Sequence, residues 1–299
     1  MRVGTFHTAA VLMLPLLACR DAGPTELPLP IPIETSPSTD REILALLYEK
    51  TNGPGWKNSR HWLSHVPLHA WYGVDVGADG RVSRLWLYNN GLTGRIPPEI
   101  GRLSGLTELH LSQNALTGRI PAEIGGLSEL RSLRLGWNEL AGSIPTELGD
   151  LAALEHLWLE GNDLTGRIPA EIGDLAALEH LWLEGNDLTG RIPAEIGDLA
   201  ALEHLWLEDN DLTGPIPPEI GRLAGLRTLR FGGNDLTGPI PPEIASLAGL
   251  RGLELWSNDL TGPIPPSLGN LTSLRSLSLA QNDLSGPVPA GSAPPFGCR

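Results

Sequence analysis

From Val82 onward the apolar and polar positions recur with a period of 24 residues. In one unit Leu109 and Leu111 flank a polar position, Asn114 comes next, and Leu116, Gly118, Ile120 and Pro121 complete the frame. Asn90, Asn114, Asn138, Asn162, Asn186, Asn210, Asn234, Asn258 and Asn282 hold strict register, with Val82, Phe231 and Val288 as conservative departures. The alternation of leucine with polar residues predicts a short strand with its leucines inward and the intervening side chains outward. Glycine and proline then end the strand. A single unit cannot bury its own leucines, but parallel strands stacked about 4.8 Å apart make them one core. The pattern therefore predicts a solenoid. The asparagine row is assigned to the turns, where an inward amide satisfies backbone groups left unpaired by the bend.

Upstream of the repeats, Thr39-Asp40-Arg41-Glu42 is a capping box, succeeded by Ile43, Leu46 and Leu47 on one helical face and a stop at Asn52-Gly53. Trp56, Trp62 and Trp71 then cluster in a segment suited to covering the first exposed layer of a solenoid, a ligand pocket being the alternative. Residues 19–39 carry Pro24, Pro28, Pro30, Pro32 and Pro37 and read as an extended tether. The start has the layout of an export signal: Arg2, an apolar run from Ala9 to Ala18 too short to span a bilayer, and Leu16-Leu17-Ala18-Cys19. That tetrad resembles the lipobox of bacterial lipoproteins, which would make Cys19 a lipid anchor; an ordinary secretory signal is the alternative. The expected division is a signal peptide at 1–18, the tether at 19–39, a cap at 40–81, nine repeats at 82–289 and a tail at 290–299 that holds the remaining cysteine, Cys298.

The frame closing in L-T-G-x-I-P-x-E-I-G is similar to the plant-type leucine-rich repeat, and the helix with Trp71-Tyr72-Gly73-Val74 resembles the N-terminal cap of that family. The resemblance implies an α/β solenoid: a right-handed arc with a parallel sheet on its concave side, short strands and 3₁₀ segments on its convex side, and an α-helical cap. It also implies recognition of proteins, peptides or glycans. Plant caps often carry a cysteine pair around the W-x-G-V element, where this chain has His69 and Val76. Together with the lipobox, this departure favours a bacterial extracytoplasmic lipoprotein, exported and lipid-anchored to the envelope or surface.

Composition sharpens the choice of partner. The formal charge of -14, with no dense lysine or arginine cluster, disfavours nucleic acid. The outward strand positions form columns. The central one runs Trp86, His110, Arg134, Trp158, Trp182, Trp206, Arg230 and Glu254; His156, His180 and His204 lie on one side, and Tyr88, Glu160, Glu184, Glu208 and Trp256 on the other. These residues are the candidate ligand-binding face. Exposed indoles offer flat faces for a sugar ring or a cation, and the acidic column suits a basic peptide. Residues 150–173 and 174–197 are identical, so tandem duplication alone would also generate the columns. No metal site is expected, because three imidazoles in line converge poorly and Glu160, Glu184 and Glu208 lie across the tryptophans. No nucleophile beside a base and no phosphate loop occur, so neither catalysis nor a cofactor is expected. The expected function is binding of a protein or peptide on the concave face, with glycan binding or a spacer role without specific ligand as alternatives.

Overall fold

The computed structural model describes residues 39–287, so the expected signal peptide, Cys19, the tether, Val288 and Cys298 lie outside the described residues. Helix α1 (Asp40–Lys50) begins where the capping box places it. The Thr39 hydroxyl accepts from the Glu42 N–H at 3.2 Å, and the Thr39 N–H donates to the Glu42 carboxylate at 3.0 Å. The buried face is Ile43, Leu44 and Leu47, with Leu46 only half-buried, so the expected apolar stripe is rotated by part of a turn. Asp40 ties the helix to the segment that enters the first repeat: it accepts the Val82 N–H at 2.7 Å and both Nε and Nη2 of Arg81, at 3.0 and 2.8 Å. This bidentate pair holds the Arg81 guanidinium above its usual pKa.

Strand β1 (Val74–Val76) pairs antiparallel with β2 (Val82–Trp86), and β2 opens a run of parallel strands. The run continues through Glu108–His110, Ser132–Arg134, His156–Trp158, His180–Trp182, His204–Trp206, Thr228–Arg230 and Gly252–Glu254 to Ser276–Ser278, nine parallel strands that with β1 make a ten-stranded sheet among the described residues. The antiparallel first strand, contributed by the cap, is the one departure from the all-parallel sheet expected from the repeats. A second sheet of nine short strands, from Thr93–Gly94 to Asp283–Ser285, runs along the other side. Short 3₁₀ helices such as Ala170–Asp174 complete each coil.

The core lies inside the coils. In one register Leu154, Leu157, Leu159, Leu164 and Leu175 are 0% exposed, and Ile168 and Ile172 are 3% and 1% exposed. Each such side chain contributes about 1.5–3 kcal/mol on burial, and the coil above and below supplies the covering surface. The asparagine ladder stitches the coils together. Asn186 donates through Nδ2 to Leu159 O in the preceding coil and Leu183 O in its own, at 3.1 and 3.0 Å, and accepts the Leu164 N–H at 3.1 Å. The cap joins this ladder through Asn58, whose N–H donates to Asn90 Oδ1 at 2.8 Å while Asn90 Nδ2 donates to Asn58 O at 2.9 Å. Trp56, Trp62 and Trp71 are buried beneath α1, with ring centroids 4.7 and 5.1 Å apart and Tyr48 packed against the first two.

Candidate functional site

Strand register determines the layout of the outer face of the ten-stranded sheet. His156, His180 and His204 are direct partners across three strands, as are Trp158, Trp182 and Trp206. Because parallel pairing sets identical side chains side by side, the three indoles stack: centroids are 4.1 Å apart at 10° for Trp158 and Trp182, and 4.4 Å apart at 2° for Trp182 and Trp206. Arg134 and Arg230 close the ends, their guanidinium carbons 3.9 and 4.4 Å from the centroids of Trp158 and Trp206. The result is one column of five planar groups. The expectation of free indole faces is corrected by it: every inner face lies on another ring, and the outer two lie under guanidinium groups. Only ring edges reach the surface, and the three tryptophans are half-buried.

The carboxylate column is also less open than its outward position suggests. Glu160 is 6% exposed and leans over Gly136, where any Cβ would collide with its carboxylate. Burial pushes Glu160, Glu184 and Glu208 up to about 7, the nearby arginine charges opposing this only in part. Glu208 and Glu254 flank Arg230 at 3.8 and 3.7 Å. On the other side, burial lowers His180 and His110 to about 4, helped by the His156 and His204 rings at the first and by Arg134 at the second. His204 is lowered for the same first reason, and its Nδ1 lies 2.7 Å from Thr228 Oγ1. These imidazoles are thus neutral at neutral pH. Several polar atoms in the columns are shielded and have no partner: Nε1 of Trp158 and Trp182, Nδ1 of His156 and His180, and Oε2 of Glu160 and Glu184.

The remaining candidates sit toward the ends of the face. Trp86 and Tyr88 are 44% and 45% exposed, with Trp86 Nε1 donating to Glu108 at 3.1 Å and Tyr88 OH donating to Gln113 at 2.6 Å. His110 packs against Tyr88, and Trp256 folds over Gly232. Trp137, absent from the outward columns, is 58% exposed and has a left-handed φ of 57° at the position that Gly161 and Gly185 occupy in the next two units. The same left-handed turn recurs in every coil, at Asn89, Gln113, Asp209, Ser257 and Gln281 as well, so it belongs to the repeat and not to Trp137 alone. The inward and outward alternation also misses the column one step before each strand, which places Glu179 beside His156 and His180, and Glu203 beside His180 and His204. The Glu-His pair repeated at 155–156, 179–180 and 203–204 is the sequence signal for it.

The leucine rich repeat profile matches residues 81–140, and a second leucine rich repeat profile matches 153–175, 177–199, 201–223, 225–247 and 249–271. The chain belongs to the leucine-rich repeat family. Among solved structures, this leucine-rich repeat chain is similar to the ectodomain of the plant membrane receptor kinase GASSHO1/SCHENGEN3 from Arabidopsis thaliana, in complex with CASPARIAN STRIP INTEGRITY FACTOR 2; identity is 37% and the TM-score 0.73, over 84% of this chain and 33% of that one. It is similar to the Arabidopsis receptor kinase HAESA, in complex with the peptide hormone IDA and the co-receptor SERK1, at 32% identity and TM-score 0.69, over 84% of this chain and 47% of that one. It is also similar to a plant ice-binding protein at 30% identity and TM-score 0.71, over 85% of this chain and 89% of that one. The chain therefore spans a third to a half of the receptor ectodomains but most of the ice-binding protein. Among curated proteins no sequence matches. Among the described residues, no helix is long and apolar enough to cross a membrane.

Proposed function

We propose that this leucine-rich repeat chain is an exported recognition protein, lipid-anchored through Cys19, that binds a peptide or an extended protein segment along the outer face of its long sheet. The observation that carries this reading is the half-buried indole column beside the carboxylates: the N–H groups of Trp158 and Trp182 and one oxygen each of Glu160 and Glu184 are shielded and without a partner in the fold, and they meet a ligand once these side chains turn outward. Shielded polar groups without partners cost about 1–3 kcal/mol each, so a ligand that supplies partners recovers part of that cost. Complexes of similar receptor ectodomains with a peptide hormone support the same class of partner. The covered indole faces disfavour stacking on a sugar ring.

A basic side chain suits the carboxylate column best once those carboxyls have lost their protons, so affinity for a basic peptide rises as pH passes upward through about 7. Panning a random peptide display library against the protein tests the reading. Peptides should enrich, and should fail to bind a Trp182→Arg variant of unchanged melting temperature; no enrichment, or equal binding to that variant, overturns it.

A second reading rests on the other sheet, where Thr165, Thr189, Thr213, Thr237 and Thr261 form an exposed ladder at one per coil. A regular array of hydroxyl and methyl groups is a surface on which water can be ordered, and the similarity to the ice-binding protein extends over most of that chain. Thermal hysteresis that disappears in Thr189→Lys but survives Trp182→Arg would favour this reading over peptide recognition.

A further inference from the structure

We propose that His156, Glu179 and His180 form a site for one divalent transition-metal ion of the zinc or cobalt class, independent of the peptide-binding reading. The first observation is a broken charge pattern. The column one step before the strands reads Arg131, Glu155, Glu179, Glu203, Arg227. Glu155 takes Arg131 at 2.6 Å and Glu203 takes Arg227 at 2.7 Å. Glu179, between two other acids, makes no ion pair or side-chain hydrogen bond among the described residues. The three glutamates stand on neighbouring coils, whose backbones are about 4.8 Å apart, and among the described residues the middle one pairs with no cation.

The second observation is the donor set beside it. One donor atom from each of His156, Glu179 and His180 lies within 4.8 Å of the other two. The two rings are 4.7 Å apart at 64°, and both Nδ1 atoms are shielded and without a partner. Two imidazoles and a carboxylate, with further positions open to water, are ligands that zinc and its neighbours accept. Bonds of about 2.1 Å place tetrahedral ligand atoms about 3.4 Å apart, so the three side chains need only draw inward by roughly an ångström. Glu179 is exposed and the histidines are half-buried, which leaves them the rotamer freedom to do so.

The equivalent set one coil on, His180, Glu203 and His204, meets the same distance criterion. It is the poorer site: Glu203 is held by Arg227, and His204 Nδ1 is taken up by Thr228. Because the two sets share His180, only one fills at a time.

The test is titration of the chelator-treated, thiol-alkylated full chain with Zn²⁺ and with Co²⁺, by calorimetry and by the visible absorption of bound cobalt. One ion per chain is expected. Glu179→Gln, a fold-neutral surface change, should weaken binding about tenfold or more, His180→Gln should weaken it further, and Glu203→Gln should leave it within about threefold. Zn²⁺ should raise the melting temperature of the wild type and not of His180→Gln. Absence of saturable binding, unchanged affinity in Glu179→Gln, or an equal loss in Glu203→Gln overturns the assignment.

Discussion

Tryptophan occurs in two settings in this molecule, and they differ in what they leave unsatisfied. In the cap, Trp56 and Trp62 are 6% and 7% exposed, meet at 76°, and donate their indole N–H groups to Thr51 O and Tyr72 O at 2.8 and 2.9 Å. In the long sheet, Trp158, Trp182 and Trp206 lie parallel and half-buried; Trp206 finds Thr228 at 2.8 Å, while the first two indole N–H groups find nothing. The aperiodic cap sets Trp56 and Trp62 edge-to-face and gives each a backbone partner, although Trp71 Nε1 is shielded and finds none. A repeated unit cannot vary its rings in this way, because every copy must adopt the arrangement of its neighbour. The cap therefore buries its tryptophans among aromatic neighbours, and the sheet leaves its own half-buried in a regular column.

Trp62→Ala probes the first half of this contrast and should have the largest effect, a loss of about 3–5 kcal/mol in unfolding free energy by calorimetry, since it empties the middle of the cap cluster. Next comes the pH dependence of the carboxylate column. In the folded chain Glu160 retains its proton up to about 7, against an ordinary value of 4.5. A raised folded pKa means stability that is full below the ordinary value and declines as pH rises through about 7. Glu160→Gln removes that decline: its melting temperature should match the wild type near pH 5 and exceed it at pH 8, by a margin worth about 1–3 kcal/mol. A Gln variant that is no more stable at pH 8 would show that the carboxyl is not held neutral. The smallest expected effect is Trp182→Ala, at about 1–2 kcal/mol, because stacking of half-exposed rings is worth little more than its area. If that variant lost as much stability as Trp62→Ala, the sheet tryptophans would be structural and the two settings would not differ in kind.

The coil architecture and the columns were legible in the sequence, because a 24-residue period converts directly into strand partners. The register alone sets His156, His180 and His204 side by side. What the period does not encode is how side chains lean. The collapse of Glu160 onto Gly136 depends on a missing Cβ in the preceding unit, and the closure of the indole column by Arg134 and Arg230 depends on rotamers at positions that read in the sequence only as bracketing charges. The cap was legible in kind, through the capping box, but not in its contacts. Asn58 joins the ladder from a position 32 residues before Asn90, out of phase with every other rung. Glu179 is invisible to the pattern because it stands just ahead of the strand, outside the alternation that defines inward and outward.

Residues 150–173 and 174–197 are the same 24 letters twice, and both lie between the two arginines that terminate the column. Since each coil touches only the coils beside it, an added or deleted copy would change the length of the aromatic rod by about 4.8 Å without disturbing either end. The span of the column is thus a countable, heritable variable: on the proposed function, copy number would set how long a ligand segment fits along it, between the same two terminal guanidinium groups.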